Sequence, residues 1–166
     1  GMKQRVVCAI AISCEPQVLI ADEPTTALDV TIQLQYLKLL KELQQNSDMA
    51  ILFITHDFGI VAKMCDRVAV MYAGRIVESG PVRQVFDNPR HPYTQALIAS
   101  VPKMKQQVGR LQTIEGQPPA FSDLPRGCRF APRCPLADER CQTTYPRSFA
   151  VGAEHTADCW RLDVTV

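Results

Sequence analysis

The stretch from Val18 to Asp29, VLIADEPTTALD, restricts this chain more than any other. Val18-Leu19-Ile20-Ala21 is a short unbroken apolar run, the pattern of a strand covered on both faces in a parallel sheet. Asp22 then stands at the C-terminal end of that strand, which is where ligands bind in α/β sheets. A carboxylate there can hold Mg²⁺ through water beside a nucleotide phosphate. Glu23, where the chain turns, can poise a water against a γ-phosphate. The competing reading is a solvated turn leading into the next helix.

A second element weighs against that plainer reading. Ala50 to Thr55, AILFIT, is another apolar strand, and His56 follows it in ITHD. If the two strands are parallel neighbours, His56 lies at the same sheet edge as Asp22. An imidazole placed there can contact a γ-phosphate and orient the attacking water. A lone histidine is more often structural, and its position one strand over from Asp22 and Glu23 is what favours function. At the beginning, Gly1-Met2-Lys3-Gln4-Arg5 opens a helix, whose free N–H groups and dipole favour phosphate.

The remaining periodicity fills in an α/β first part. Val7, Ile10, Ala11 and Cys14 recur at helical spacing over 2–14, and Pro16 breaks that helix. Asp29 precedes a helix near 30–46 with Val30, Leu34, Leu37 and Leu40 on one stripe. A short helix ends around Cys65, and strands at 67–72 and 75–78 are joined through Ala73-Gly74 as a hairpin. Two short helices follow, near 81–87 and 93–100, separated by Asn88-Pro89 and His91-Pro92. From Pro118 the text is rich in Pro, Arg and Cys with little periodicity, and 118–160 reads as a small, loop-rich appendage that needs a staple.

Composition narrows the function classes. The 46% apolar content suits a globular chain with a core. With 18 basic and 17 acidic residues, there is no footprint for nucleic acid or for an anionic membrane surface. No apolar run reaches the roughly 18 residues that span a bilayer, and the polar opening is unlike a secretory signal. The expected location is therefore the cytosol.

Seven cysteines are unevenly spread. Cys8, Cys14 and Cys65 lie in apolar, patterned segments and read as small core residues. Cys128, Cys134, Cys141 and Cys159 cluster in the tail, with spacing C-x5-C-x6-C-x17-C. In a reducing compartment such a set reads as metal ligands before disulfides. The thiolates suit zinc or an iron–sulfur cluster, and the spacing matches neither paired CxxC zinc sites nor ferredoxin runs. His155 either replaces one ligand or lies at the surface.

GMKQR, VLIADEPTTALD and ITHD, in that order, resemble the ABC ATPase family over residues 1 to about 100. GMKQR is similar to the tail of the signature motif, VLIADE to the Walker B strand, ALD to the D-loop and ITHD to the switch histidine. The resemblance implies that Asp22 serves Mg²⁺, Glu23 is the general base and His56 senses the γ-phosphate. It also implies that Asp29 acts at a dimer interface and that Gly1 and Gln4 meet ATP held by the opposite subunit. MYAGRIVESGPVRQVFDNPRHPYTQALIASVP is similar to the segment after the switch histidine in dipeptide, oligopeptide, nickel and glutathione importers. The tail resembles that subfamily's C-terminal extension, which favours a four-iron, four-sulfur cluster on all four cysteines, with zinc as the alternative.

The family expectation is thus the C-terminal part of a P-loop ATPase domain at 1–100, a mostly parallel sheet with helices, plus a Cys-rich extension at 101–166. Its partners would be membrane permease subunits, a second ATPase subunit and, indirectly, a solute receptor, at the cytoplasmic face of the membrane. The chain departs from the family in containing no GxxxxGK[ST] phosphate loop. This polypeptide alone is therefore expected not to turn over ATP, and to self-associate through strands left at an open edge. Two other readings compete: a non-transport ABC ATPase, and a regulatory or metal-binding module on an ATPase scaffold.

Overall fold

The computed structural model describes residues 2–26, 28–101 and 113–163. The chain forms two compact units, Gly1–Cys65 and Asp66–Val166.

The first unit runs α1 (Met2–Ile12), β1 (Val18–Asp22), α2 (Val30–Asn46), β2 (Ala50–Ile54) and α3 (Phe58–Met64). β1 and β2 pair in parallel, with Val18 opposite Ala50 and Asp22 opposite Ile54. Asp29 caps α2 by accepting from the Ile32 N–H at 3.0 Å, and Asp57 caps α3 by accepting from Gly59 and Ile60. Cys8, Leu19, Tyr36, Leu40 and Met49 form the buried core, with Ile51 and Phe53 packed against it.

Two details differ from the sequence expectation. β1 alternates between exposed and buried, leaving Val18 and Ile20 in solvent, and Leu52 and Ile54 of β2 are exposed as well. Helices cover one face of this pair; the other is open among the described residues. An unbroken apolar run cannot by itself distinguish one covered face from two, because both satisfy it. In α2 the buried stripe is Tyr36, Leu37 and Leu40, while Val30 and Leu34 are exposed. Their spacing fits one helix face, but that face is rotated from the one that meets the core.

The second unit contains β3 (Arg67–Tyr72), β4 (Arg75–Pro81), α4 (Val82–Asp87), α5 (Pro92–Ser100), α6 (Glu139–Thr143), β5 (Phe149–Gly152) and β6 (His155–Ala157). Short 3₁₀ turns occupy Ala131–Arg133 and Trp160–Leu162. β3 and β4 form the expected antiparallel hairpin, with Ala73 and Gly74 at φ 44° and 80° in its turn. Positive φ at both turn residues matches the right-handed strand twist. Pro92 begins α5, where its missing N–H has no cost.

The tail is more regular than its composition suggests. β5 and β6 form a second hairpin, and β6 pairs antiparallel with β4, giving one sheet ordered β3-β4-β6-β5. Phe130 is 1% exposed and packs with Tyr72 and Tyr93, ring centroids 5.2 and 5.3 Å away. Val70, Val77 and Val85 complete that core.

Candidate functional site

The parallel register brings the ends of β1 and β2 together. The Glu23 N–H extends the ladder, donating to the Ile54 carbonyl at 2.9 Å. Glu23 then turns the chain with φ at 43°, a left-handed conformation that costs a non-glycine residue about 1 kcal/mol. From that turn its side chain meets two donors. His56 Nδ1 lies 2.7 Å from Glu23 Oε1, and Thr26 Oγ1 donates to Oε2 at 2.7 Å. The Thr26 bond first, and the His56 contact second, hold the Glu23 carboxyl below the usual glutamate range.

The pair faces water. The His56 side chain is 82% exposed and that of Glu23 is 37% exposed. Asp22, immediately before, is exposed at the strand end and offers the hard oxygen donor that Mg²⁺ prefers. Gln4 joins the same end by donating from Nε2 to the Pro24 carbonyl at 2.9 Å. Gln4, Asp22, Glu23 and His56 are thus gathered at one edge, while Asp29 has its carboxylate engaged as the α2 cap. Gly1 lies outside the described residues. Sequence reasoning missed Thr26, although Glu-Pro-Thr-Thr after an apolar strand places a hydroxyl within reach of the glutamate in a tight turn.

In the second unit, Cys128, Cys134, Cys141 and Cys159 line one small cavity together with His91, Phe130 and Trp160. Cys128 and Cys134 flank the Ala131–Arg133 turn, and the Cys128 N–H donates to the Cys141 carbonyl at 2.8 Å. Gly127 permits this approach: a Cβ there would overlap the Cys141 carbonyl oxygen. None of the four is in a disulfide, and burial pushes each thiol upward in pKa, Cys141 to about 11. As soft donors in one enclosed space they fit a metal chemically. Among the described residues, however, no group of three His, Cys, Asp or Glu side chains is drawn together closely enough to hold a metal ion.

Beside that cavity lies a buried polar cluster that the sequence did not reveal. Glu78, 1% exposed, accepts from the Arg90 N–H at 2.7 Å and the His91 N–H at 2.9 Å. His155 Nε2 completes the set, 2.8 Å from Glu78 Oε1. His155 is 2% exposed, so it is neither at the surface nor free at that nitrogen to bind a metal. His91 caps α5, its Nδ1 accepting from the Tyr93 N–H at 3.1 Å. Burial lowers the His91 pKa to about 4, against an opposing pull from Glu78.

Residues 77–141 match the family described as oligopeptide/dipeptide transporter, C-terminal region. Over those residues the chain carries this C-terminal region, and along nearly its whole length it is similar to ATP-binding proteins of peptide transport and import. It is 50% identical to the dipeptide transport ATP-binding protein DppD of Bacillus subtilis, over 98% of this chain and 49% of that protein. It is also 50% identical to the oligopeptide transport ATP-binding protein AppD of Bacillus subtilis, over 96% of this chain and 49% of that one. The oligopeptide transport ATP-binding protein OppD of Haemophilus influenzae is 48% identical, with the same coverage of 96% and 49%. The chain therefore spans about half the length of these curated relatives. No helix among the described residues is long and apolar enough to cross a membrane.

Proposed function

We propose that this chain supplies the hydrolytic part of an ATP-binding subunit that energises import of dipeptides, oligopeptides or related solutes. The observation that carries the reading is the Glu23–His56 pair, 2.7 Å apart at the shared C-terminal end of two parallel strands. In this reading β1 is a Walker B strand. Glu23 is the general base: a carboxylate oxygen accepts a proton as a water attacks the γ-phosphorus. His56 contacts the γ-phosphate and orients that water. Mg²⁺ held by Asp22 through water would neutralise the phosphate charge. Gln4 and Gly1 meet ATP bound by an opposite subunit, and Asp29 stands at the interface between the two.

The partners in this reading are permease subunits, which anchor the protein to the cytoplasmic face of the membrane, a second ATPase subunit and, indirectly, a solute receptor. The names of the relatives support peptides as the cargo. The open apolar face of β1 and β2 supports self-association of this polypeptide on its own. The ATPase part at 1–100 is followed by a 101–166 extension in which Cys128, Cys134, Cys141 and Cys159 hold a four-iron, four-sulfur cluster or, as the second choice, zinc. Their common cavity supports that assignment.

The catalytic reading is tested with the full-length gene product assembled with its permease in proteoliposomes. Glu23→Gln should lower Mg-ATP turnover by roughly two to four orders of magnitude, and His56→Ala should also lose turnover. Normal hydrolysis by Glu23→Gln would remove the reading.

A further inference from the structure

Glu23 is held by donors from two different parts of the chain. His56 reaches it across 33 residues of sequence, from the loop that follows β2. Thr26 reaches it from within the same turn, where the Thr26 N–H also donates to the Glu23 carbonyl at 3.3 Å. The two donors take different carboxylate oxygens, Oε1 and Oε2, each at 2.7 Å.

That division matters for a side chain as exposed as this one. A glutamate has three side-chain torsions, and the Glu23 side chain is only partly covered, with 37% of it exposed. One donor on one oxygen leaves the carboxylate free to swing about that contact; a second donor on the other oxygen fixes its plane. Each oxygen keeps a further lone pair, so holding the carboxylate this way does not block it from a water. Thr26 is suited to the task because β-branching restricts its χ1. Because it belongs to the turn that carries Glu23, its hydroxyl also follows the carboxylate wherever that turn moves.

We infer that Thr26 is a positioning residue for Glu23, its hydroxyl fixing the carboxylate plane in the direction that His56 alone leaves open. The inference rests on Glu23 being the general base. The lowered pKa of the Glu23 carboxyl, to which Thr26 is the largest contributor, agrees with a strong bond. A purely local role in stapling the turn would give the same bond length, so the test must read the chemical step.

Three variants of the assembled importer answer the question: Thr26→Val, which keeps the shape and removes the donor, Thr26→Ser, which restores the donor, and Glu23→Gln. The expected result is that Thr26→Val lowers kcat roughly ten- to a hundredfold, since misplacing a reacting group costs rate. KM for ATP should change little, because the lost interaction acts on the chemical step. Thr26→Ser should recover most of the loss. Full kcat in Thr26→Val beside an inactive Glu23→Gln would overturn the role of Thr26 while leaving Glu23 as the base. Thr26 loses that role equally if Thr26→Val acts on KM alone, or if Thr26→Ser is as slow as Thr26→Val. An active Glu23→Gln would remove the base and, with it, the need for a residue to position it.

Discussion

Glu78 and His155, 77 positions apart in sequence, meet in the interior of the second unit with Oε1 and Nε2 separated by 2.8 Å. Glu78 lies on β4 and His155 on β6, and the two strands are hydrogen-bonded neighbours. Because Glu78 also takes the Arg90 and His91 N–H groups, one carboxylate joins the β3–β4 hairpin, the entry to α5 and the tail.

Replacing that carboxylate should therefore unsettle three elements at once. Glu78→Ala leaves two backbone donors and an imidazole buried without their acceptor, which should cost about 3–5 kcal/mol. Denaturant unfolding monitored at Trp160 would measure the loss. A change near zero would mean that the cluster relaxes to admit water.

Acid should loosen the same region, through His91. Its pKa is about 4 in the folded chain against 6.5 without burial. Between those values the unfolded chain binds a proton that the folded chain does not, so stability falls as pH drops from 6.5 towards 4. The full shift corresponds to a loss of about 3 kcal/mol. Urea midpoints across this range should decline in the parent and decline less in His91→Asn, which retains a capping acceptor without titrating. Parallel curves would assign the acid sensitivity to another group.

The cysteine assignment makes a prediction that can be seen by eye. Protein prepared without oxygen should be brown, with broad visible absorbance and matching iron and sulfide. Equimolar zinc without iron would favour a structural zinc site, and protein free of both would remove either metal. Substituting serine at Cys128, Cys134, Cys141 or Cys159 should release the metal and destabilise chiefly the tail, since a small site of this kind contributes its binding energy to folding.

The parts legible in the sequence were those with local causes. Apolar runs ending in Asp22 and Ile54 marked β1 and β2, and the turn residues Ala73-Gly74 marked the β3–β4 hairpin. From these, Asp22, Glu23 and His56 could be placed at one edge before any geometry was known. The Glu78–His155 contact has no local sign: both residues look like solvated polar positions until the strands that carry them pair. β5 and β6 have four and three residues, too few for an alternation to stand out from a proline-rich background. The face left open on β1 and β2 was equally hidden, since Val18 and Ile20 read alike whether covered or bare.

The position of β6 between β4 and β5 has a consequence for synthesis. A ribosome adds about 5–20 residues per second, so the 77 positions from Glu78 to His155 take roughly 4–15 seconds to appear. The β3–β4 hairpin forms within microseconds of leaving the tunnel. For the whole of that interval β4 has one side without its strand partner, and the Glu78 carboxylate has no imidazole. The nascent chain must keep that edge in water, or under a chaperone, until β6 emerges.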